Sequence, residues 1–448
     1  MSTAWPTVKM GGVLRRVERF EPRDELLEYH FAGTYSFARG IFAGERKMGS
    51  TFALPKIQRI REGDFVYCKI MAWEGAFGIV PKEADGCVMS GAFVAYEPNL
   101  DRIDPQFLDY FFKVPFHWQT VGGQSTGTNV RRRSLHPTQF EKAEIPLPPL
   151  AEQRRIVERI EELAVRIEKA KTLRKQAAEE AGALIVSALS QACSGRLHSV
   201  GDPVESAHQL LGRVSRAKCA GHVQARKRKS TALPPPPEVP KSWLVVEAGE
   251  LQEQGAISDI QDGNHGGDYP RKDEFAGEGV PFVTAKQIDH GRVRIAEAPL
   301  LPAERASRLR VGFAKAGDVL LTHNASVGDV AIAPDDAGDF LLGTSVTYWR
   351  CNPEALDRRY LYYFMRSEHF QGQLQFIMKQ TTRNQVSVLK QVNLWICYPP
   401  LAEQRRIVAE LDALQAEADE LKRLQVETAA ELDAMLPSIL DKAFKGEL

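Results

Sequence analysis

The sequence has little of what would tie it to a chemistry. Its 448 residues hold six cysteines, Cys68, Cys87, Cys193, Cys219, Cys351 and Cys397, with no CxxC pair and no zinc-like Cys/His cluster. That spacing argues against a disulfide framework or a structural zinc module and predicts reduced, incidental thiols. No apolar run approaches the roughly 18 residues that span a bilayer. The opening MSTAWPTVKMGGVLRRVERF has no signal-peptide core. Together these predict a cytoplasmic chain with no membrane partner. Charge of either sign is not in excess: 58 Lys and Arg face 58 Asp and Glu. A protein coated in basic charge is excluded, whereas a local basic groove is not, because binding follows local potential.

Catalytic signatures are also missing. The sequence has no GxxxxGK[ST] phosphate loop, no GxGxxG after a strand, no HExxH and no GxSxG. Its Pro-Pro pairs lack the neighbours of the Asn/Asp-Pro-Pro-aromatic motif of amino-methyltransferases. PDDAGD (334–339) lacks the nearby Glu-x-Lys of a metal-dependent nuclease core and reads as a turn. DGNHGGDYP (262–270) has the composition of a turn-rich loop. A chain of this length without a catalytic constellation reads as a binding or scaffold protein.

What is present is a duplication. The string PPLAEQRRIV starts at Pro148 and again at Pro399. The offset of 251 that sets Leu150 against Leu401 also sets Leu197 against Leu448, without a gap. Leu163/Leu414, Lys171/Lys422, Leu173/Leu424, Ala183/Ala434, Leu189/Leu440 and Gly195/Gly446 match in that register. The prolines cannot lie inside a helix and mark its start. Glu152 and Glu403 place negative charge in the first turn, where the helix dipole favours it. Apolar residues then recur at steps of three and four: Ile156, Ile160, Leu163, Ile167 and Ala170, a break at Arg174, then Ala177, Ala181, Leu184 and Ala188. The second copy has Ile407, Leu411, Leu414, Ala418, Leu421, Leu432, Met435 and Ile439. This is a coiled-coil seam. A helix of about 40 residues is roughly 60 Å long, too long to pack on its own globular half alone. The economical solution pairs the two helices with each other.

Weaker correspondences precede the helices. GDFVYCKIMAWEGAFGIVP (63–81) is similar to GDVLLTHNASVGDVAIAP (317–334), and LDYFF (108–112) to LYYFM (361–365). Each half then has a polar segment rich in amides and arginine, GGQSTGTNVRRRSL (122–135) and KQTTRNQVSVL (379–389). The halves have the composition of mixed α/β (α+β) domains with short strands, among them FVYCKIMAW (65–73) and GVPFVTAKQI (279–288). Domain boundaries are expected at 1–147, 148–197 (first helix), 198–240 (linker), 241–398 and 399–448 (second helix). Within the linker, HQLLGRVSRAK suits a short helix and PPPP (234–237) a stiff spacer. ARKRKS (225–230) reads as a solvated basic run, with contact to DNA phosphates as the alternative.

A globular region ending in PLPPLAEQRRIV and a heptad helix, then the same again, resembles the specificity (S, HsdS) subunit of type I restriction-modification systems. IQDGNHGGDYPRKDEFAGEGVPFVTAKQI resembles the opening of that family's target recognition domains, and PPPPEVPKSW (234–243) their proline-then-Trp entry. The linker is longer than the family pattern. The resemblance implies two target recognition domains, each reading half of a bipartite target on double-stranded DNA. The two long helices would separate them as an antiparallel coiled coil with pseudo-twofold symmetry. The rod would then measure the unread spacer, with an upper bound of about 17 base pairs at roughly 3.4 Å each. It also implies a non-catalytic subunit that joins two methyltransferase (M) subunits and the restriction/translocase (R) subunits of a phage-defence complex. S-adenosylmethionine, ATP and Mg would belong to those partners, with no cofactor in this chain.

Direct readout needs Arg for guanine and Asn or Gln for adenine. The polar segments supply Gln124, Thr126, Asn129, Arg131, Arg132 and Arg133 in the first half, and Thr382, Arg383, Asn384 and Gln385 in the second. Asn264, His265 and Lys286 join the second set. Arg154, Arg155, Arg405 and Arg406, at the helix entries, are candidates for contact with DNA or a partner. Alternatives are a coiled-coil adaptor that binds no DNA, the specificity module of a methyltransferase-only or other defence system, and an enzyme with a site around Asp262 to His265.

Overall fold

The computed structural model describes residues 5–126, 133–197, 205–218, 232–289, 291–379 and 384–448. The chain forms two compact units, Met1–Lys175 with Leu424–Leu448, and Gln176–Arg423.

The first unit is closed at its base by the antiparallel pair Thr7–Lys9 and Glu144–Pro146. A four-stranded antiparallel sheet follows the order Leu14–Val17, Phe93–Pro98, Phe65–Cys68, Phe77–Ile79. Beside it runs a mixed sheet ordered Phe20–Pro22, Lys56–Arg59, Val88–Met89, Glu28–Thr34, Ile41–Met48. Helices Pro105–Lys113, Pro115–Gly122 and Pro137–Lys142 each begin on a proline, whose missing N–H costs nothing at that position. They cover an aromatic core in which Phe77 and Phe112 stack at 4.8 Å and Phe65 and Phe140 at 5.5 Å. Burying each such ring contributes roughly 2–3 kcal/mol.

The second unit repeats this plan. Leu244–Glu247 pairs antiparallel with Trp395–Tyr398. The antiparallel sheet is ordered Ile257–Asp262, Val346–Cys351, Val319–Asn324, Ser326–Ile332. Helices Arg358–Arg366, Glu368–Lys379 and Val388–Gln391 lie in the places of the three proline-led helices. A second, mixed sheet is ordered Leu300–Leu301, Val280–Val283, Phe340–Leu342, Phe313–Ala314. The similarity of 63–81 to 317–334 therefore has a structural meaning: both are the hairpin that ends the antiparallel sheet. Asp64 and Asp318 open its first strand, are buried, and accept from an arginine on another strand or its edge. For Asp318 the Arg350 contacts are 2.7 and 2.8 Å. Of the stretch read as linker, Ala207–Lys218 is a helix that buries Ala207, Leu210, Leu211 and Val214 in the core of the second unit. The i, i+3, i+4, i+7 spacing of these residues makes the apolar stripe that a packed helix needs. The run ARKRKS lies outside the described residues.

Both long helices are present, Leu150–Cys193 and Leu401–Phe444, of 44 residues each. Each ends on a glycine in the left-handed region, Gly195 at φ 73° and Gly446 at φ 74°, where a side chain would be strained. Inside the first unit, the early part of the first helix runs against the late part of the second. Arg155 Nη2 donates to Leu448 O at 2.9 Å, Lys171 Nζ lies 2.9 Å from Asp433 Oδ1, and Gln425 Nε2 donates to Arg174 O at 3.0 Å. One number rises as the other falls, so the pair is an antiparallel coiled coil. In the second unit, Ala188, Leu189, Ala192 and Cys193 share a core with Ile407, Val408 and Leu411.

The seam differs from the sequence reading at two equivalent positions. Leu184 and Met435 are 58% and 46% exposed, while Ile185 and Leu436 pack on the cores. Arg174 is no break: it occupies a seam layer and donates to the carbonyls of Gln425 and Thr428. Counting through it, Ala177, Ala181 and Ile185 form two successive four-residue steps where a strict heptad has a three. Such steps follow the true 3.6-residue period of the helix and relax the supercoil.

Candidate nucleic-acid interface

The motif repeated at Pro148 and Pro399 is a structural joint. Its glutamine, Gln153 or Gln404, is fully buried. Gln153 Oε1 accepts from Asp104 N at 2.8 Å, and its Nε2 donates to Arg102 O and Pro148 O, each at 2.9 Å. Gln404 makes the same three bonds to Asp357 N, Ala355 O and Pro399 O, at 2.7, 3.1 and 2.9 Å. Asp104 and Asp357 in turn cap the helices that start at Pro105 and Arg358. One amide thus ties the long helix to the globular fold, in both copies.

The two arginines of the motif have separate roles. Arg155 forms a bidentate pair with Glu152, both contacts at 2.8 Å, which holds the Glu152 carboxyl below the usual carboxylate range. Arg406 pairs with Glu403 at 2.7 and 3.0 Å and with Glu410 at 2.5 Å. These two are engaged in fixing the first turns. Arg154 and Arg405 are exposed and, among the described residues, have no ion-pair partner. They are the arginines of the motif available to another molecule.

The polar segments emerge from one equivalent place in each unit. In the first, Lys69 at the end of strand Phe65–Cys68 accepts from Leu135 N at 3.0 Å. In the second, His323 accepts from Val386 N at 2.9 Å. Leu135 and Val386 stand at the 251-residue offset of the repeat. Reciprocal backbone bonds between Thr126 and Ser134, at 3.1 and 3.0 Å, close the neck of the first loop. Gln124, Thr126 and Arg133 are exposed around that neck. Asn129, Arg131 and Arg132 lie outside the described residues, as do Thr382 and Arg383.

In the second unit Asn384 and Gln385 are exposed and meet the hairpin turn of the sheet. Gln385 bridges to Asn324, and Ala325 N donates to Asn384 O at 3.2 Å. Ala325 holds φ 68°, a strained conformation for a residue with a Cβ. The turn borders a cleft of about 590 Å³ lined by Tyr269, Lys286, Gln287, Asn324, Ser326 and Ser345 with further apolar residues. Lys286 lines this cleft together with Asn324 and Ala325, the residues that Gln385 and Asn384 meet. Sequence reading missed Asn324 and Ser326, although the Asn-Ala-Ser step between two apolar strands is a turn signal.

Asn264 does not join them. It is fully buried, and its Nδ2 donates to Val311 O and Leu342 O at 2.9 and 3.2 Å. It ties strand Phe340–Leu342 to the segment before Phe313–Ala314 and has no base-reading surface. His265 is exposed, with Nδ1 3.2 Å from Gly263 O, and does not line the cleft. The His323 imidazole is buried with neither ring nitrogen hydrogen-bonded, and burial lowers its pKa below the usual histidine range.

Two sheet-rich units built on a pair of 44-residue helices define a duplicated protein. The model of the type I restriction-modification DNA specificity domain matches residues 5–177 and 250–431, and the chain belongs to that family. It is 22% identical over 433 residues to the MjaVIII specificity subunit of Methanocaldococcus jannaschii, covering 94% of this chain and 88% of that one. Against the EcoBI specificity subunit of Escherichia coli it is 21% identical, covering 87% and 76%. Among solved structures, the HsdS subunit from Thermoanaerobacter tengcongensis aligns over 100% of this chain and 98% of its own, with TM-score 0.63 and 24% identity. A chain from a study of complex assembly and conformational transition in the type I R-M system aligns over 100% and 99%, with TM-score 0.64 and 25% identity. Among the described residues, no helix is long and apolar enough to cross a membrane.

Proposed function

We propose that this chain is the subunit that selects the DNA target of a type I restriction-modification complex. Each unit reads one half of a bipartite sequence on a DNA duplex, and the coiled coil fixes the spacer between the halves. The observation that carries this reading is the repetition of one arrangement: a polar loop bonded back to a strand end, at Lys69 and Leu135 and again at His323 and Val386. A protein that reads a single site needs one such loop. Arg, Asn, Gln and Lys side chains at these loops match the donor and acceptor patterns of base edges, and the remaining cations suit phosphates.

In this reading the chain catalyses nothing itself. It positions two methyltransferase subunits and the restriction subunits, and those partners hold S-adenosylmethionine, ATP and Mg. The helix entries, with Arg154 and Arg405 exposed, are the docking points proposed for the methyltransferase subunits. Single-molecule sequencing of genomic methylation with and without this gene tests the reading. The expected result is one bipartite motif, methylated on adenine, that disappears with the gene. An unchanged methylation pattern in a cell whose methyltransferase subunits are intact contradicts it.

A further inference from the structure

The hairpin of strands Glu28–Thr34 and Ile41–Met48 ends in the tip Tyr35-Ser36-Phe37-Ala38-Arg39-Gly40. Two consecutive residues with side chains, Phe37 at φ 63° and Ala38 at φ 50°, hold the left-handed conformation. That conformation is unfavourable for both, and phenylalanine is a poor choice for it. The ring gains little in return by burial, since Phe37 is 62% exposed. The tip is nevertheless built rather than loose. Phe37 N donates to Glu74 O and Ala38 N to Gly75 O, each at 2.7 Å, and Ser36 Oγ donates to Glu74 Oε2 at 3.1 Å. The ring meets Trp118 edge-on at 6.1 Å. Arg39 Nε donates to Ser36 O at 3.2 Å, and its guanidinium lies 5.1 Å over the Tyr35 ring.

The same unit carries the neck formed by Thr126 and Ser134. Trp118 belongs to helix Pro115–Gly122, which runs straight into the segment 122–135. Gly122 lies so close to the turn supporting Phe37 that a Cβ there would sit 2.3 Å from Ala72 O. Ile70 and Met71, next to the Lys69 anchor, add two exposed apolar side chains, 55% and 38% exposed. Between Tyr35 and Gly40 the tip has one cation and no carboxylate.

We infer that Phe37 is a specificity-determining wedge that enters a base step of the half-site read by the first unit, with Arg39 on the adjacent phosphate. A rigid apolar side chain beside a cation is the arrangement that unstacks and kinks a duplex, and the cost depends on which step is opened. The inference rests on the first unit reading DNA.

The test uses the full chain assembled with its methyltransferase subunits, on duplexes carrying the methylated motif, with 2-aminopurine placed in turn at each purine. Apart from the target adenines, which methyltransferases flip out of the duplex, the wild type is expected to brighten the probe at one step of the half-site read by the first unit. Phe37→Gly, which suits the left-handed backbone and keeps the thermal midpoint, is expected to lose that signal and at least tenfold in affinity. Phe37→Trp is expected to restore both. If Phe37→Gly binds and brightens the probe like the wild type, or if no purine other than the target adenines brightens in a specific complex, the wedge is refuted and the reading of the first unit stands. If the wild-type complex shows no sequence preference at all, the reading itself fails.

Discussion

Removing the buried amide at position 153 isolates the joint between domain and helix. In Gln153→Ala, the N–H of Asp104 and the carbonyls of Arg102 and Pro148 each lose their contact to this side chain. A net loss of about 1 kcal/mol for each of three buried hydrogen bonds gives a cost of roughly 3 kcal/mol. Water is poorly placed to substitute, because Gln153 has no exposed surface. Gln153→Glu keeps the acceptor and loses both donations, so at neutral pH it is expected to be no better than alanine. Hydrogen exchange followed by mass spectrometry on the full chain is the assay. At about 1.4 kcal/mol per factor of ten, amides of 104–113 are expected to exchange roughly a hundredfold faster, while those of 357–366 keep their protection. Gln404→Ala is expected to give the mirror result. Unchanged exchange at 104–113 in a folded Gln153→Ala protein would falsify the assignment of this glutamine as the clamp.

Gly122→Ala forces a Cβ against the Ala72 carbonyl and is expected to cost about 1–3 kcal/mol. In a methylation assay it should weaken discrimination in one half-site only. His117 is half-buried against Phe111 and Phe444, and burial lowers its pKa from the ordinary 6.5. The unfolded chain therefore binds the proton first, and this stabilising contribution is complete above pH 6.5 and lost as pH falls toward the folded value. The thermal midpoint is expected to drop between pH 7.5 and pH 5.5 by less in His117→Leu than in the wild type. Arg154→Glu and Arg405→Glu reverse exposed charges at the two helix entries, and size-exclusion chromatography is expected to show weaker retention of the methyltransferase subunits. Arg155→Ala, which removes an arginine already paired with Glu152, should leave that retention nearly unchanged.

The long helices were legible because proline, glutamate, a three-four apolar period and a terminal glycine all speak for the same element. The slip at Leu184 and Met435 arose because each has an apolar neighbour, Ile185 and Leu436, and a pattern count cannot tell which of two adjacent residues faces inward. Arg174 read as a break in the seam, because its contacts to Gln425 and Thr428 depend on the register of the pair, which a pattern count does not contain. The polar loops were legible as segments, from composition and their place before the helix. Individual members were not: Asn264 has the same amide as Asn384 but faces two backbone carbonyls in the interior. Gln153 and Gln404 were hidden inside a string whose charged residues draw attention. The strain at Phe37 has no sequence signature, since any residue type can be written at that position and only the backbone reveals the cost.

The central claim is that two units read two half-sites independently. Replacing residues 1–147 with the corresponding part of a relative of different specificity, then sequencing genomic methylation, tests it most directly. The account predicts a new first half-site, the old second half-site and an unchanged spacer, because the paired helices are untouched. A change in both half-sites, or a new spacer with both half-sites retained, would contradict it.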